Sequence, residues 1–169
     1  NPYRTLSMIP SSWMLVNDAV DFQDMNTNLA GNFALGRNID ASVTSGWNAG
    51  AGFVPIGTNV TGFAGNFDGL DQRVSNLTIN RPTMDYVGLF GYIDTGASLK
   101  NIGLVGGSVS GGSYVGGLVG WNSGSINNSY TSSAVSGAIS GIGGLVGENH
   151  IGSISNSYVS GGSVVGSDT

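Results

Sequence analysis

At 169 residues with a formal charge of −5, the chain has room for one ordinary domain, and its five basic residues are too few to neutralise a nucleic-acid backbone. Gly supplies 30 residues and Ser, Asn and Thr another 50, yet 40% of residues are hydrophobic and only 9% charged, the reverse of the signature of disorder. Gly, Ser, Asn, Thr and Val dominate while Lys, Glu, Arg and Gln are scarce, so a mainly helical fold is disfavoured and a β protein expected.

In chain order, the first predicted element is a short amphipathic helix at Asn17-Asp18-Ala19-Val20-Asp21-Phe22-Gln23-Asp24-Met25. Capping residues lead it, acids occupy its first turn, and Val20, Met25 and Leu29 are spaced to share a face. Such a helix, laid across one end of a β structure, protects an apolar end and its strand edges. Residues 1–40 therefore read as an N-terminal cap, made of this helix and a first strand, Asn32-Phe33-Ala34-Leu35-Gly36-Arg37-Asn38-Ile39-Asp40. Residues 41–85 read as irregular early coils, with strand or turn pieces at Phe53-Val54-Pro55-Ile56-Gly57 and Phe63-Ala64-Gly65-Asn66-Phe67-Asp68-Gly69. The loop from Ala41 to Gly52, with Trp47, is expected to protrude.

Residues 86–169 are repetitive, and all three parts are expected to form one structural domain. The runs Tyr86-Val87-Gly88-Leu89-Phe90-Gly91, Tyr114-Val115-Gly116-Gly117-Leu118-Val119-Gly120 and Ile142-Gly143-Gly144-Leu145-Val146-Gly147 repeat a Gly-Leu-apolar-Gly core after 29 and then 27 residues. A second register aligns Val74/Asn76, Leu99/Asn101, Ile126/Asn128 and Ile154/Asn156, and a third short strand follows around Val109, Val135 and Val164. The unit reads as three short strands and three turns.

Strands this short alternate inward and outward and cannot bury their apolar side chains alone; stacking successive units in parallel does so. Leu89 then lies beneath Leu118 and Leu145, while Val74, Leu99, Ile126 and Ile154 form a second interior column. Asn76, Asn101, Asn128 and Asn156 form a structural amide ladder at one corner. The prediction is an all-β, right-handed parallel β-helix with a short N-terminal capping helix, its hand taken from the preference of parallel crossovers.

Gly88-Leu89-Phe90-Gly91, Gly117-Leu118-Val119-Gly120 and Gly144-Leu145-Val146-Gly147 resemble the GLUG repeat of bacterial surface proteins. Upstream, Asp21-Phe22-Gln23-Asp24-Met25-Asn26, Asn38-Ile39-Asp40-Ala41-Ser42, Phe53-Val54-Pro55-Ile56-Gly57, Phe67-Asp68-Gly69 and Val74-Ser75-Asn76-Leu77 resemble the segment preceding such repeats in large filamentous haemagglutinin-like adhesins. Relatives often carry Gly-His after the Asp-Gly, where this chain has Leu70-Asp71-Gln72, so no role of that His transfers. The resemblance implies export, adhesion or stalk duty, and a right-handed β-helix.

Catalysis finds little support. β-Helical polysaccharide lyases and hydrolases cluster carboxylates and bases on one face. The best candidate, Asp68-Gly69-Leu70-Asp71 with Arg73, reads as a turn in which Arg73 pairs on the surface. Asp85 and Asp94 read as separate turn residues, and His150, the one histidine, as solvated. With no Cys there is no disulfide, thiolate or Cys-based zinc site, and no phosphate loop, nucleophile elbow, zinc helix or calcium nonapeptide repeat is present. No enzyme activity, cofactor or metal is expected. Asn59-Val60-Thr61, Asn76-Leu77-Thr78 and Asn127-Asn128-Ser129 match the N-glycosylation pattern, which an Asn- and Ser-rich chain meets by chance.

Aromatic residues are the better lead. Tyr92, Trp121 and Glu148 follow successive Gly-Leu-apolar-Gly cores, and Tyr86, Tyr114 and Ile142 precede them. An outward column of Tyr92 and Trp121 with Glu148 beyond would offer flat apolar faces and a hydrogen-bonding acid to a sugar. Tyr130 and Tyr158 read as a structural pair. No apolar run is long enough for a membrane helix and no signal-peptide pattern is present, so membrane insertion is not expected. A start at Asn1 suggests a mature chain or a piece of a longer one.

The expected protein is an extracellular or bacterial cell-surface, adhesin-like rod or spacer, contacting host or matrix glycans or other surface proteins. An alternative is a filament subunit: only Gly166-Ser167-Asp168-Thr169 follow Val165, and end-to-end self-association would cover the last rung. A third is a polysaccharide-active β-helix enzyme.

Overall fold

Gly, Asn and Asp corners break the chain into strands too short to form a sheet within one turn of chain, so every strand finds its partners a full coil away. The computed structural model describes residues 13–167; residues 1–12 of the expected cap, and Asp168 and Thr169, lie outside it. The described residues form a parallel β-helix of about four coils. One coil runs through strands Ser98–Lys100, Gly103–Val105, Ser108–Gly111, Val115–Gly116 and Val119–Asn122 before Ser125–Asn127 begins the next. Each pairs in parallel with its counterparts above and below, as Ser125–Asn127 does with Ser98–Lys100 and Ser153–Ser155.

A complete coil therefore has five strand segments where the sequence pattern suggests three. Asn101, at a φ of 56°, turns the chain between Ser98–Lys100 and Gly103–Val105. Val115–Gly116 is likewise a separate strand on the approach to the second Gly-Leu-apolar-Gly core.

Interior columns follow the pairing. Phe33, Phe67, Leu99, Ile126 and Ile154 stand in one register, Ile39, Val74, Leu104, Thr131 and Val159 in the next, and Ile79, Val109, Val135 and Val164 in a third. Val74 thus stands between Ile39 and Leu104, and Phe67 holds the place beneath Leu99 that the sequence pattern gave to Val74. Leu70 and Asp71, both at positive φ, lengthen the corner after Asp68 and displace the strand Arg73–Ser75 to the next register. The same displacement carries Asn76 to the following corner, level with Gly106, away from Asn101.

Near the N-terminal end the interior is aromatic. The helix spans Ala19–Asp24; the Asp18 carboxylate accepts from the Val20 and Asp21 N–H groups, satisfying two donors of its first turn. The ring of Phe22 enters the core against Phe53, Phe67 and Phe90, at centroid distances of 6.2, 5.4 and 6.4 Å. Phe22 and Met25 are the buried anchors, whereas Val20 points to solvent, because the helix starts at Ala19 and its inner stripe begins there. A strand the sequence pattern missed, Trp13–Val16, precedes the helix and pairs in parallel with Asn32–Leu35; a corner separates the latter from Ile39–Asp40. The segment Ser42–Gly50 packs against the coils: Thr44 is fully buried, its hydroxyl accepts the Thr78 N–H at 3.0 Å, and Trp47 stacks on Phe53. Burial falls along the axis, from Ile126 at 1% exposed to Ile154 at 38%.

Candidate functional site

The Gly-Leu-apolar-Gly core is a packing device. Its Leu points inward, Leu89 and Leu118 fully buried and Leu145 nearly so. Its glycines lie where backbones of adjacent coils meet. A Cβ on Gly120 would come within 2.6 Å of the Gly91 carbonyl oxygen, and one on Gly117 within 2.6 Å of that of Gly144. Only residues without a Cβ allow this approach.

That approach puts the residue after each core in a vertical row: Tyr92 pairs with Trp121 and Trp121 with Glu148. The Tyr92 and Trp121 rings are nearly parallel, 9° apart at 5.9 Å. A second row stands beside it, Tyr86 on Tyr114 at 5.0 Å, and the rows meet edge to face, Tyr114 against Trp121 at 5.0 Å and 88°. His150 packs on Trp121 at 4.9 Å. Five rings thus form one patch, half-buried except for the exposed His150. Its polar tips are the tyrosine hydroxyls, the imidazole and Glu148, and the Trp121 indole N–H donates to the Ser123 hydroxyl at 3.2 Å. Burial, followed by the neighbouring Tyr114, Asp85 and Tyr92, pushes the Tyr86 phenol above its usual pKa.

Tyr86 and Tyr114 adopt φ of 60° and 54°, the left-handed region that aromatic residues rarely occupy. The third coil has Gly141 there, at 65°; Ile142 aligns with Val115, one position on from where the sequence pattern set it against Tyr114. Backbone hydrogen bonds from the Tyr86 N–H to the Ser113 carbonyl and from the Tyr114 N–H to the Ser140 carbonyl accompany the stacked rings at these positions. Beside Tyr86 opens a cleft of about 320 Å³, lined also by Thr58, Asn59, Met84 and Asp85. Sequence reasoning missed His150 as a member of the patch: a lone histidine in a turn carries no local signal, and only stacking brings it over Trp121.

The acidic candidates lie elsewhere. Asp68 pairs with Lys100, its register partner on the next coil, at 3.2 Å, while among the described residues Arg73 makes no ion pair, contrary to expectation; the lengthened corner carries Arg73 on to the level of Gly103. Burial raises the Asp68 pKa, but hydrogen bonds from Asn101 and the Leu70 N–H, together with Lys100, outweigh it and hold the carboxyl below its usual value. Asp40 is also lowered, by the Ser42 N–H and Asn76. Asp85 accepts the Ser113 N–H at 2.7 Å. The amide ladder runs from Asn128 to Asn101 and on to Asp68, with Asn156 donating to Asn127; Asn76 bonds Asp40 at its own corner. Tyr130 and Tyr158 stack at 5.5 Å. Among the described residues no cluster of His, Asp or Glu could hold a metal, and no helix is long and apolar enough to cross a membrane.

Fold and face together define a parallel β-helix with recurrent Gly-Leu-apolar-Gly coils and an aromatic patch on one side. The GLUG motif matches residues 138–165, the coil that holds the third core. Over 154 residues, 86% of its length, the chain is 37% identical to Halomucin of Haloquadratum walsbyi. Over 82 residues, 47% of its length, it is 39% identical to a protein named as a Gly-rich membrane protein in Evansella cellulosilytica. The chain spans 2% of the first relative and 10% of the second. No solved structure matches it.

Proposed function

We propose that the chain is a β-helical section of a secreted or cell-surface protein, a non-enzymatic rod or spacer whose aromatic face contacts neutral glycans. The observation that carries the reading is the five-ring patch Tyr86, Tyr92, Tyr114, Trp121 and His150, with Glu148 at its end. Flat half-buried rings with hydrogen-bonding tips suit the apolar faces and hydroxyls of a pyranose. Residues 101–169 contain no Lys or Arg, so the segments that carry Tyr114, Trp121, Glu148 and His150 offer no counter-charge to an acidic polysaccharide; neutral sugars fit them better.

The surface assignment is supported by the GLUG motif and by similarity to Halomucin and to a protein named for a membrane. The adhesin reading adds the resemblance of Asp21–Asn26, Asn38–Ser42 and Phe53–Gly57 to segments of filamentous haemagglutinin-like proteins. The test is a glycan array probed with the folded chain and with Trp121→Ala, each checked by circular dichroism. Binding to neutral glycans that disappears in the variant is the expected result. No binding across the array would remove the glycan role and leave rod or spacer duty alone.

A further inference from the structure

The three Asn-x-Ser/Thr tripeptides are equivalent in sequence, and the fold makes them unequal. An oligosaccharyl transferase must draw the whole tripeptide into its groove, with the amide and the hydroxyl both free.

At Asn127-Asn128-Ser129 the hydroxyl is inaccessible: Ser129 is fully buried and its Oγ donates to the Asn127 carbonyl at 2.9 Å. The Asn127 side chain also accepts from Asn156. At Asn76-Leu77-Thr78 the middle residue is a core side chain, Leu77, 1% exposed. Asn76 donates to Asp40 at 3.2 Å, and Thr78 belongs to the strand Thr78–Asn80, which pairs with Ser108–Gly111. Extending either tripeptide means opening a coil.

Asn59-Val60-Thr61 differs in every respect. All three residues are exposed, Val60 at 88%, and none belongs to a strand. The turn is held by Thr58, whose N–H donates to the Thr61 carbonyl at 2.9 Å and whose hydroxyl accepts from the Val60 and Thr61 N–H groups at 3.3 and 3.1 Å. Among the described residues none hydrogen-bonds the Asn59 side-chain amide. Asn59 also lines the cleft of about 320 Å³ beside Tyr86, which leaves room for a first sugar next to the amide.

We propose that Asn59 is an N-glycan acceptor and that Asn76 and Asn127 are not. The donor is a lipid-phosphate-linked oligosaccharide. The Asn59 Nδ2 attacks C1 of its first sugar; the N–C1 bond forms as the C1–O bond to phosphate breaks, the bonding pair leaves with the lipid phosphate, and one amide proton passes to a base of the transferase.

The test incubates the folded chain with a purified single-subunit oligosaccharyl transferase and a lipid-phosphate-linked oligosaccharide, with site occupancy read by mass spectrometry. Three synthetic peptides, one per tripeptide, are run alongside. All three peptides are expected to be modified, whereas in the folded chain occupancy at Asn59 exceeds that at Asn76 and Asn127 at least about tenfold, because the latter two wait on local opening. Asn59→Gln and Thr61→Ala, both on the exposed turn, each abolish the product. An unmodified Asn59 in a folded chain whose Asn59 peptide is modified overturns the proposal, as does equal occupancy at Asn76 or Asn127. Trp121→Ala leaves this result unchanged whether or not the aromatic face binds sugars.

Discussion

Tyr114 shows how a single residue can be kept against its backbone preference. A left-handed φ costs a residue with a Cβ about 1–2 kcal/mol, and each aromatic contact returns about 0.5–1.5 kcal/mol. Replacing Tyr114 by Gly relieves the first and loses two such contacts, with Tyr86 and Trp121, so the chain should lose no more than about 2 kcal/mol of stability. Tyr114→Ala keeps the strain without the ring and should be the less stable of the two by about 1 kcal/mol in urea unfolding. The opposite order would mean that the backbone is not strained there. Asp68 gives a pH dependence. Its pKa is lowered from 3.8 in the folded chain, so its contribution is complete above that value and is lost as pH falls through the folded pKa. Melting temperature should drop below about pH 4, and the drop should be shallower in Asp68→Asn, which keeps the shape but does not titrate.

At the scale of elements, the Gly-Leu-apolar-Gly core sets coil-to-coil contact and the helix fills the aromatic end. Gly120→Ala drives a Cβ against the Gly91 and Tyr114 carbonyls and should cost about 1–3 kcal/mol by chemical denaturation. Phe22→Ala empties a site between three other rings, at about 3–5 kcal/mol. These elements differ in how far the sequence reveals them. The cores are legible because close backbone approach admits only Gly, which recurs wherever the coil returns. The Trp13–Val16 strand and the five-part coil are not, since strands of two to four residues show too little alternation to register. Val74 and Asn76 fall out of line with the sequence pattern for a different reason: the extra corner residues Leu70 and Asp71 shift the count without altering the pattern. Tyr92, Trp121 and Glu148 could be aligned by counting from the cores, whereas His150 joins them through a corner whose course depends on tertiary contact.

For the molecule as a whole, parallel stacking makes every outward position a potential row, and most rows are Ser, Thr, Gly or Asn. The aromatic rows flanking the cores stand out from these, as does the separate Tyr130–Tyr158 pair, and the rows beside the cores depend on the glycines that bring coils together. Coil packing and aromatic face therefore share one origin: the repeat that brings adjacent coils together also presents the rings. The most direct measurement is saturation-transfer difference NMR on the folded chain with a set of neutral oligosaccharides, beside Trp121→Ala. The account predicts transfer from the protein to sugar ring protons that is lost in Trp121→Ala while the circular dichroism spectrum is unchanged. Transfer that persists in the variant, or none with any sugar of the set, would contradict it.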